Sequence, residues 1–310
     1  MNFAFVFPGQ GSQSLGMMSA YGDEATVRAT FDEASAALGR DLWQLVSAGP
    51  SEALNQTVNT QPVMLTAGIA VWRLWAERKG TRPAMLAGHS LGEYSALVAA
   101  GALELRDAVP LVELRAKAMQ EAVPAGEGSM AAVLGLDAAA VKLACEESAQ
   151  EQVVQAVNFN APEQTVIAGH KAAVERAAEA CKAKGAKRAL LLPVSAPFHC
   201  SLMQPAAEKL KNALAQVAVA VPRIPVLNNV DVAVVSEPEA IKAALVRQAA
   251  SPVRWVETML ALQAAGIGQV YECGPGKVLA GLVKRCADRL VGTAINDLAA
   301  LEAALVGVKG

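Results

Sequence analysis

Short apolar runs alternate with longer helical periods along most of the chain. Strands joined by helical crossovers build a largely parallel sheet with helices on its faces, so the pattern predicts an α/β fold. NFAFVF at 2–7 predicts a first strand followed by a glycine-rich turn, and AMLAG at 84–88 predicts a short buried strand that enters a helix at Ser90. Helical periodicity covers 25–38, 62–79 and 106–123, with Pro110 tolerable only in a first helical turn.

The composition changes at PAGEGSM, 124–130. After it come the strand MAAVLGL, a helix capped by Asp137, the strands VVQAVNF and QTVIAG, a helix from Lys171 to about Lys184, and the strand RALLLPV. That β-α-β-β-α-β order is the split βαβ pattern of a ferredoxin-like unit. We therefore read 125–194 as a small ferredoxin-like subdomain inserted into a large hydrolase-like domain with a parallel-sheet core, 1–124 and 195–310. The large domain resumes with PVLNNV as a strand, a helix after Pro238, a helix over 253–265, GQVYECG as a strand and a helix from Lys277.

With 310 residues, 53% hydrophobic and 18% charged, the chain can bury a large core. A net charge of −2 offers nothing for nucleic acid. The start, MNFAFVFPGQG, lacks a charged leader and reads as a strand rather than a signal peptide. Charges break the other apolar stretches before membrane-spanning length. The five cysteines (Cys145, Cys181, Cys200, Cys273, Cys286) show no C-x-x-C pair. An odd, scattered set suits reduced thiols in a cytoplasm, mostly as small core residues. No metal site or cofactor is expected, and the chain is expected to act as a monomer.

Gly88, Ser90 and Gly92 form G-x-S-x-G between a strand and a helix. This context presents a nucleophilic serine on a sharp turn. A serine there could also serve only as a helix cap, but capping does not require the two flanking glycines. A nucleophilic serine needs a base. His89 adjoins Ser90 and should point elsewhere on a tight turn; His170 opens a polar helix as a surface or capping residue. His199 lies in SAPFHC after the strand that closes the insertion, where catalytic groups collect in α/β sheets. Elimination therefore favours His199. Of the acids between Ser90 and His199, Asp107 and Asp137 read as helix caps, and Glu93 and Glu104 as solvated helix positions. This predicts a Ser–His dyad whose imidazole is oriented by a neutral acceptor such as a backbone carbonyl.

Arg115 has Leu111, Val112, Ala118 and Met119 as helical neighbours, so it lies on an inward face. A buried guanidinium needs a partner. Either an internal carboxylate forms a structural ion pair with it, or it grips a substrate carboxylate. Helical spacing leaves the two open.

The segments FPGQGSQ (7–13), TQPVMLTA (60–67), AGHSLGEYSAL (87–97), LRAKAMQEAVP (114–124), NFNAPEQTVIAG (158–169), PVSAPFHCSLM (193–203), VRQAASPVRW (246–255) and ECGPGKVL (272–279) together resemble the malonyl-CoA:acyl carrier protein transacylases of type II fatty acid synthesis. The resemblance spans essentially the whole chain. It implies that Ser90 carries a malonyl ester, His199 is base then acid, and Arg115 binds the malonyl carboxylate. It further implies an oxyanion hole from the backbone N–H groups of Gln10 and Leu91, and a backbone carbonyl at Gln248 that orients the histidine. Gln61 and Asn160 match polar pocket residues, with ordinary structural hydrogen bonding as the other reading. Phe198 stands where related polyketide acyltransferase domains carry an aromatic with malonyl preference; simple packing is its alternative.

The implied function is ping-pong transfer of malonyl from malonyl-CoA to the phosphopantetheine thiol of acyl carrier protein. An acidic carrier would meet a basic rim, for which Lys187, Arg188, Lys277, Lys284 and Arg285 are candidates. Alternatives are an acyltransferase of a polyketide or malonate pathway, a serine esterase or thioesterase, and a silent carrier-binding subunit.

Overall fold

The protein is described by a computed structural model over residues 2–194 and 196–308. Its first strand, β1 (Phe3–Phe7), is buried along its whole length. Alternate side chains leave a strand on opposite faces. Phe3, Phe5 and Phe7 enter one apolar cluster, and Ala4 and Val6 enter another. A strand buried on both faces belongs at the centre of a parallel sheet.

That sheet has five strands in the order β7 (Val226–Leu227), β2 (Met85–Gly88), β1, β8 (Gln269–Cys273) and β9 (Val291–Ile295), and every pairing in it is parallel. The phenylalanine side is covered by α1 (Ala25–Leu38), α2 (Leu42–Ala48), α3 (Ser51–Leu54), α4 (Thr57–Glu77), α5 (Gly92–Ala99), α6 (Leu105–Glu121), α9 (Gln204–Leu214), α10 (Pro238–Ala249) and α13 (Leu298–Gly307). The other side is covered by α11 (Trp255–Ala264) and α12 (Val278–Cys286). Phe7 pairs with Gly88, so β1 and β2 end side by side and release the Gln10 and Ser90 turns at one edge. The carboxyl ends of parallel strands are where α/β folds place their ligands.

The second sheet is antiparallel, in the order β4 (Val154–Ala161), β5 (Gln164–His170), β3 (Gly128–Leu134) and β6 (Arg188–Leu191). This is the ferredoxin-like order. The helices α7 (Ala138–Ala149) and α8 (Lys171–Ala183) cover one face. Asp137 caps α7 by accepting from the Ala140 N–H at 2.9 Å. The other face carries Met130, Val157, Val166 and Ala168 and packs with Cys200, Leu192, Val194 and Phe198. Backbone hydrogen bonds tie the two sheets' surroundings together: Val253 N–H donates to Val157 O at 2.8 Å, and Phe159 N–H donates to Val253 O at 3.0 Å.

Several expectations need correction. The helix after β2 begins at Gly92, so Ser90 stands on the turn itself. Both α4 and α6 start earlier than periodicity suggests and hold Pro62 and Pro110 beyond their first turns. Proline leaves the carbonyl four residues back without its helical donor. Arg40 Nη2 reaches the Val58 carbonyl at 3.4 Å, and Arg106, four residues before Pro110, is an exposed residue. Asp107 lies within the first turn of α6, and Glu104 takes the capping position without a side-chain cap. The point of return at Ser195 lies outside the described residues. No described helix is long and apolar enough to cross a membrane.

Phe5 is fully buried, edge-on to Phe3, Trp72, Trp75 and Tyr271. Phe5→Ala should therefore cost about 3–5 kcal/mol, read as a lowered denaturant midpoint at unchanged slope.

Candidate active site

The Ser90 turn is held tightly against β1. A Cβ on Gly88 would lie 1.9 Å from backbone atoms of Gly92, and one on Gly92 would lie 2.0 Å from the Phe7 carbonyl. Only glycine fits at either place. Ser90 itself has φ of 53°, a left-handed conformation that L residues seldom adopt. Asn229, just after β7, clamps the turn: its Oδ1 accepts from Ser90 N–H and its Nδ2 donates to Gly88 O, both at 2.7 Å.

Ser90 Oγ lies 2.6 Å from His199 Nε2. His199 also has a left-handed backbone, φ 67°. Its Nδ1 is 3.0 Å from the Gln248 carbonyl oxygen. A carbonyl only accepts, so Nδ1 carries the proton and Nε2 offers its lone pair to the serine hydroxyl. Burial, then the nearby Arg115 charge, pushes the His199 pKa down to about 3, against the pull of the Gln248 carbonyl. The imidazole is thus a neutral acceptor at neutral pH.

Arg115 is 2% exposed and reaches in from α6. Its Nη1 donates to Gln61 Oε1 at 2.7 Å, and its Nη2 donates to Gln248 Oε1 at 3.0 Å and to Ser90 Oγ at 3.2 Å. The Tyr94 ring lies 5.5 Å from the guanidinium carbon. Every hydrogen-bond partner is neutral, so the expected alternative of a direct structural ion pair is not what the protein forms. Burial lowers the Arg115 pKa, opposed by Tyr94 and Glu93.

Gln10 and Leu91 line the cavity beside Ser90, and neither backbone N–H has a hydrogen-bond partner among the described residues. Gln10 is anchored through its side chain, whose Oε1 accepts from Thr57 Oγ1 at 2.6 Å; Gln61 Nε2 donates to the same hydroxyl at 3.3 Å. His89, expected to point elsewhere, joins Met119, Met130, Asn158, Leu192, Val194 and Phe198 to complete the wall of a cavity of about 130 Å³. That is below the several hundred Å³ of a typical drug-sized site, so only a short acyl group fits beside the serine.

Ser90, His199, Arg115, Gln61, Gln10, Leu91 and Phe198 converge on one cavity, with Gln248 directly behind it. Asn160 does not line the wall; its Oδ1 meets His89 Nε2 at 2.8 Å, and Asn158 faces the cavity instead. The β4–β5 register shifts between Phe159 and Ala161, so Asn160 itself sits at a β-bulge that breaks simple alternation there. His170 stands at the helix boundary without capping it, and its Nδ1 accepts from Val153 N–H at 2.9 Å. All five cysteines are free and buried. The five basic candidates are exposed, but Arg188 pairs with Leu134, at the opposite end of β3 from Met130. Glu93 is the largest correction: it is 2% exposed rather than solvated. Asn229 was missed altogether. Its signal was a pair of asparagines ending an apolar strand.

A family model for the acyl transferase domain matches residues 4–308. The chain belongs to the acyl transferase family. This acyl transferase is 58% identical over 304 residues to the malonyl CoA-acyl carrier protein transacylase of Salmonella typhimurium, covering 98% of each chain. It is 47% identical to the protein of that name from Bacillus subtilis, over 99% of this chain and 97% of the other. Among solved structures, the acyl-carrier-protein S-malonyltransferase of Burkholderia pseudomallei superposes with a TM-score of 0.97 at 61% identity, covering 99% of this acyl transferase and 100% of that chain. A malonyl-transacylase solved in complex with its type II PKS acyl-carrier protein gives 0.98 at 54% identity, with the same coverage.

His199 should remain a neutral Nδ1–H tautomer from pH 5 to 8, read by ¹⁵N histidine NMR. The unfolded chain takes up its proton near 6.5 and the folded chain only near 3, so the stability His199 contributes is lost as pH falls through that window.

Proposed function

We propose that the chain transfers malonyl from malonyl-CoA to the phosphopantetheine thiol of acyl carrier protein through a malonyl ester on Ser90. The observation that carries this is one oxygen with two neighbours: Ser90 Oγ lies 2.6 Å from His199 Nε2 and 3.2 Å from Arg115 Nη2. A base and a carboxylate-binding cation meet at the nucleophile. The names of the relatives support the same reaction.

In the first half-reaction His199 Nε2 takes the Ser90 proton as Oγ attacks the thioester carbon. The tetrahedral oxyanion forms against the N–H groups of Gln10 and Leu91, which have no hydrogen-bond partner to give up among the described residues. The C–S bond breaks, and the coenzyme A sulfur leaves with the proton from His199. The second half-reaction reverses these steps. The carrier thiol gives its proton to His199 and attacks the ester carbon, and Ser90 Oγ takes that proton back as it leaves. Throughout, Arg115 holds the malonyl carboxylate, and Phe198 and Met130 limit the space around the acyl group. The steps draw on this chain's own groups and on the two thiols.

The likeness to a malonyl-transacylase solved with a type II PKS carrier favours a second reading at the level of pathway, in which the acceptor is a carrier protein of polyketide synthesis. The chemistry is identical, and turnover compared across carrier proteins separates the two.

Ser90→Ala should abolish the covalent malonyl label that survives denaturation; a persisting label removes Ser90 as nucleophile. Arg115→Ala should lower kcat/KM for malonyl-CoA by roughly 10²-fold or more, because a carboxylate enters an apolar site unpaired. The same variant should raise the relative rate with acetyl-CoA, and an unchanged malonyl preference would deny Arg115 its role.

A further inference from the structure

The carboxylate missing from the Ser–His pair stands one layer behind it. Glu93 follows the nucleophile by three residues and is buried at the start of α5. Its Oε2 accepts from Gln248 Nε2 at 2.8 Å and from Asn229 N–H at 2.9 Å. These two partners are the residues that hold the reacting groups. Asn229 clamps the Ser90 turn from both sides. Gln248 does three things at once. Its carbonyl accepts from His199 Nδ1 at 3.0 Å, its Oε1 accepts from Arg115 Nη2 at 3.0 Å, and its Nε2 also donates to Ser90 O at 3.0 Å.

A primary amide can present either end to a neighbour, and the choice follows from the bonds around it. An ionised carboxylate only accepts. It therefore draws the Gln248 NH₂ toward itself and turns the oxygen toward the guanidinium. A flipped amide would set N–H against N–H at Arg115. We propose that Glu93 is a positioning residue for the transfer: its carboxylate locks Gln248 so that one residue presents an acceptor to Arg115 and a carbonyl to His199 together. The proposal rests on the reading of Ser90 and His199 as the transfer pair.

The role requires the charged form. Burial holds the Glu93 pKa up to about 7, against the pull of Gln248, Asn229 and Arg115. The other groups that face it are Asp231 after β7, which raises it, Arg247 on α10, which pairs with Asp231, and its neighbour Tyr94 on α5. His199 loses its proton at far lower pH. Acyl-enzyme formation should therefore rise with pH through about 7, and Glu93 rather than the histidine should set that limb.

The test is quenched-flow labelling of the full chain by malonyl-CoA from pH 5.5 to 8.5, for the wild type, E93Q and E93D. The glutamine variant preserves size and can still accept from Asn229 N–H, and it shares any titration of the substrate. At pH 8 it should label roughly ten- to a hundredfold more slowly, the scale of a lost charge-assisted hydrogen bond, and its rate should be flat across the range. The aspartate variant should regain part of the rate together with the limb. In the wild type, ¹³C-glutamate NMR should give Glu93 the midpoint of that limb, a readout that needs no variant to fold. Wild-type speed in E93Q, a slower E93Q that retains the limb, or a limb that does not track Glu93 each overturns the inference. Wild-type protein that never labels overturns the transfer reading as well.

Discussion

Arg115 is a full positive charge in the interior with only neutral groups bonded to it. Such a charge is costly unless its surroundings are built for it. Three helices supply them around α6: Gln61 from α4, Tyr94 from α5 and Gln248 from α10. The arrangement partners both terminal nitrogens, leaves Nε unpartnered among the described residues, and does not neutralise the charge. An arriving carboxylate therefore finds an oriented cation within reach of the nucleophile. The same charge helps hold His199 deprotonated. In the proposed transfer, selectivity for an acidic acyl group and readiness of the base thus share one cause.

The backbone around the site is equally constrained. Ser90 and His199 both have positive φ, and they come from segments 109 positions apart. Ser90 sits just past the end of β2, and His199 lies in the irregular segment between β6 and α9, where no ladder dictates conformation. Strain of this kind persists only when neighbours fix it. Asn229 and the Gln248 carbonyl are the neighbours that do so. Rigid first contacts matter here because an acyl transfer depends on aligning an oxygen, a lone pair and two N–H groups at once.

The fold was legible wherever local chemistry decides it. The buried β1, the Asp137 cap and the ferredoxin-like order all follow from apolar runs and helical periods. The short α2, α3 and β9 have few residues and α13 is uniformly apolar, so none shows a clear period, whereas α9 carries one in Ala206, Ala207, Leu210 and Leu214 that the sequence reading passed over. In the site, Ser90 was visible from its glycines and Arg115 from its helical face. Glu93 was misread for a simple reason. A charged residue on a helix of length eight reads as solvated unless the strands and helices around that helix are known. Burial here is imposed by α10 and the residues after β7, which lie more than 130 positions away. Asn160, matched to the pocket through the resemblance, sits at a bulge in β4 and bonds His89, the structural hydrogen bonding that was its other reading.

The cavity wall has two origins. Ser90, Arg115, Gln10 and Gln61 belong to segments packed on the parallel sheet, whereas Met130 and Asn158 project from the antiparallel one, with Leu192 and Val194 just beyond its last strand. The nucleophile and much of the surface that bounds the acyl group therefore lie against different hydrophobic cores. Met130 and Asn158 can change size while the clamp on the Ser90 turn, Asn229 and β1, stays in place. A lineage of such proteins could retune what it carries by repacking one sheet while inheriting its nucleophile unaltered from the other.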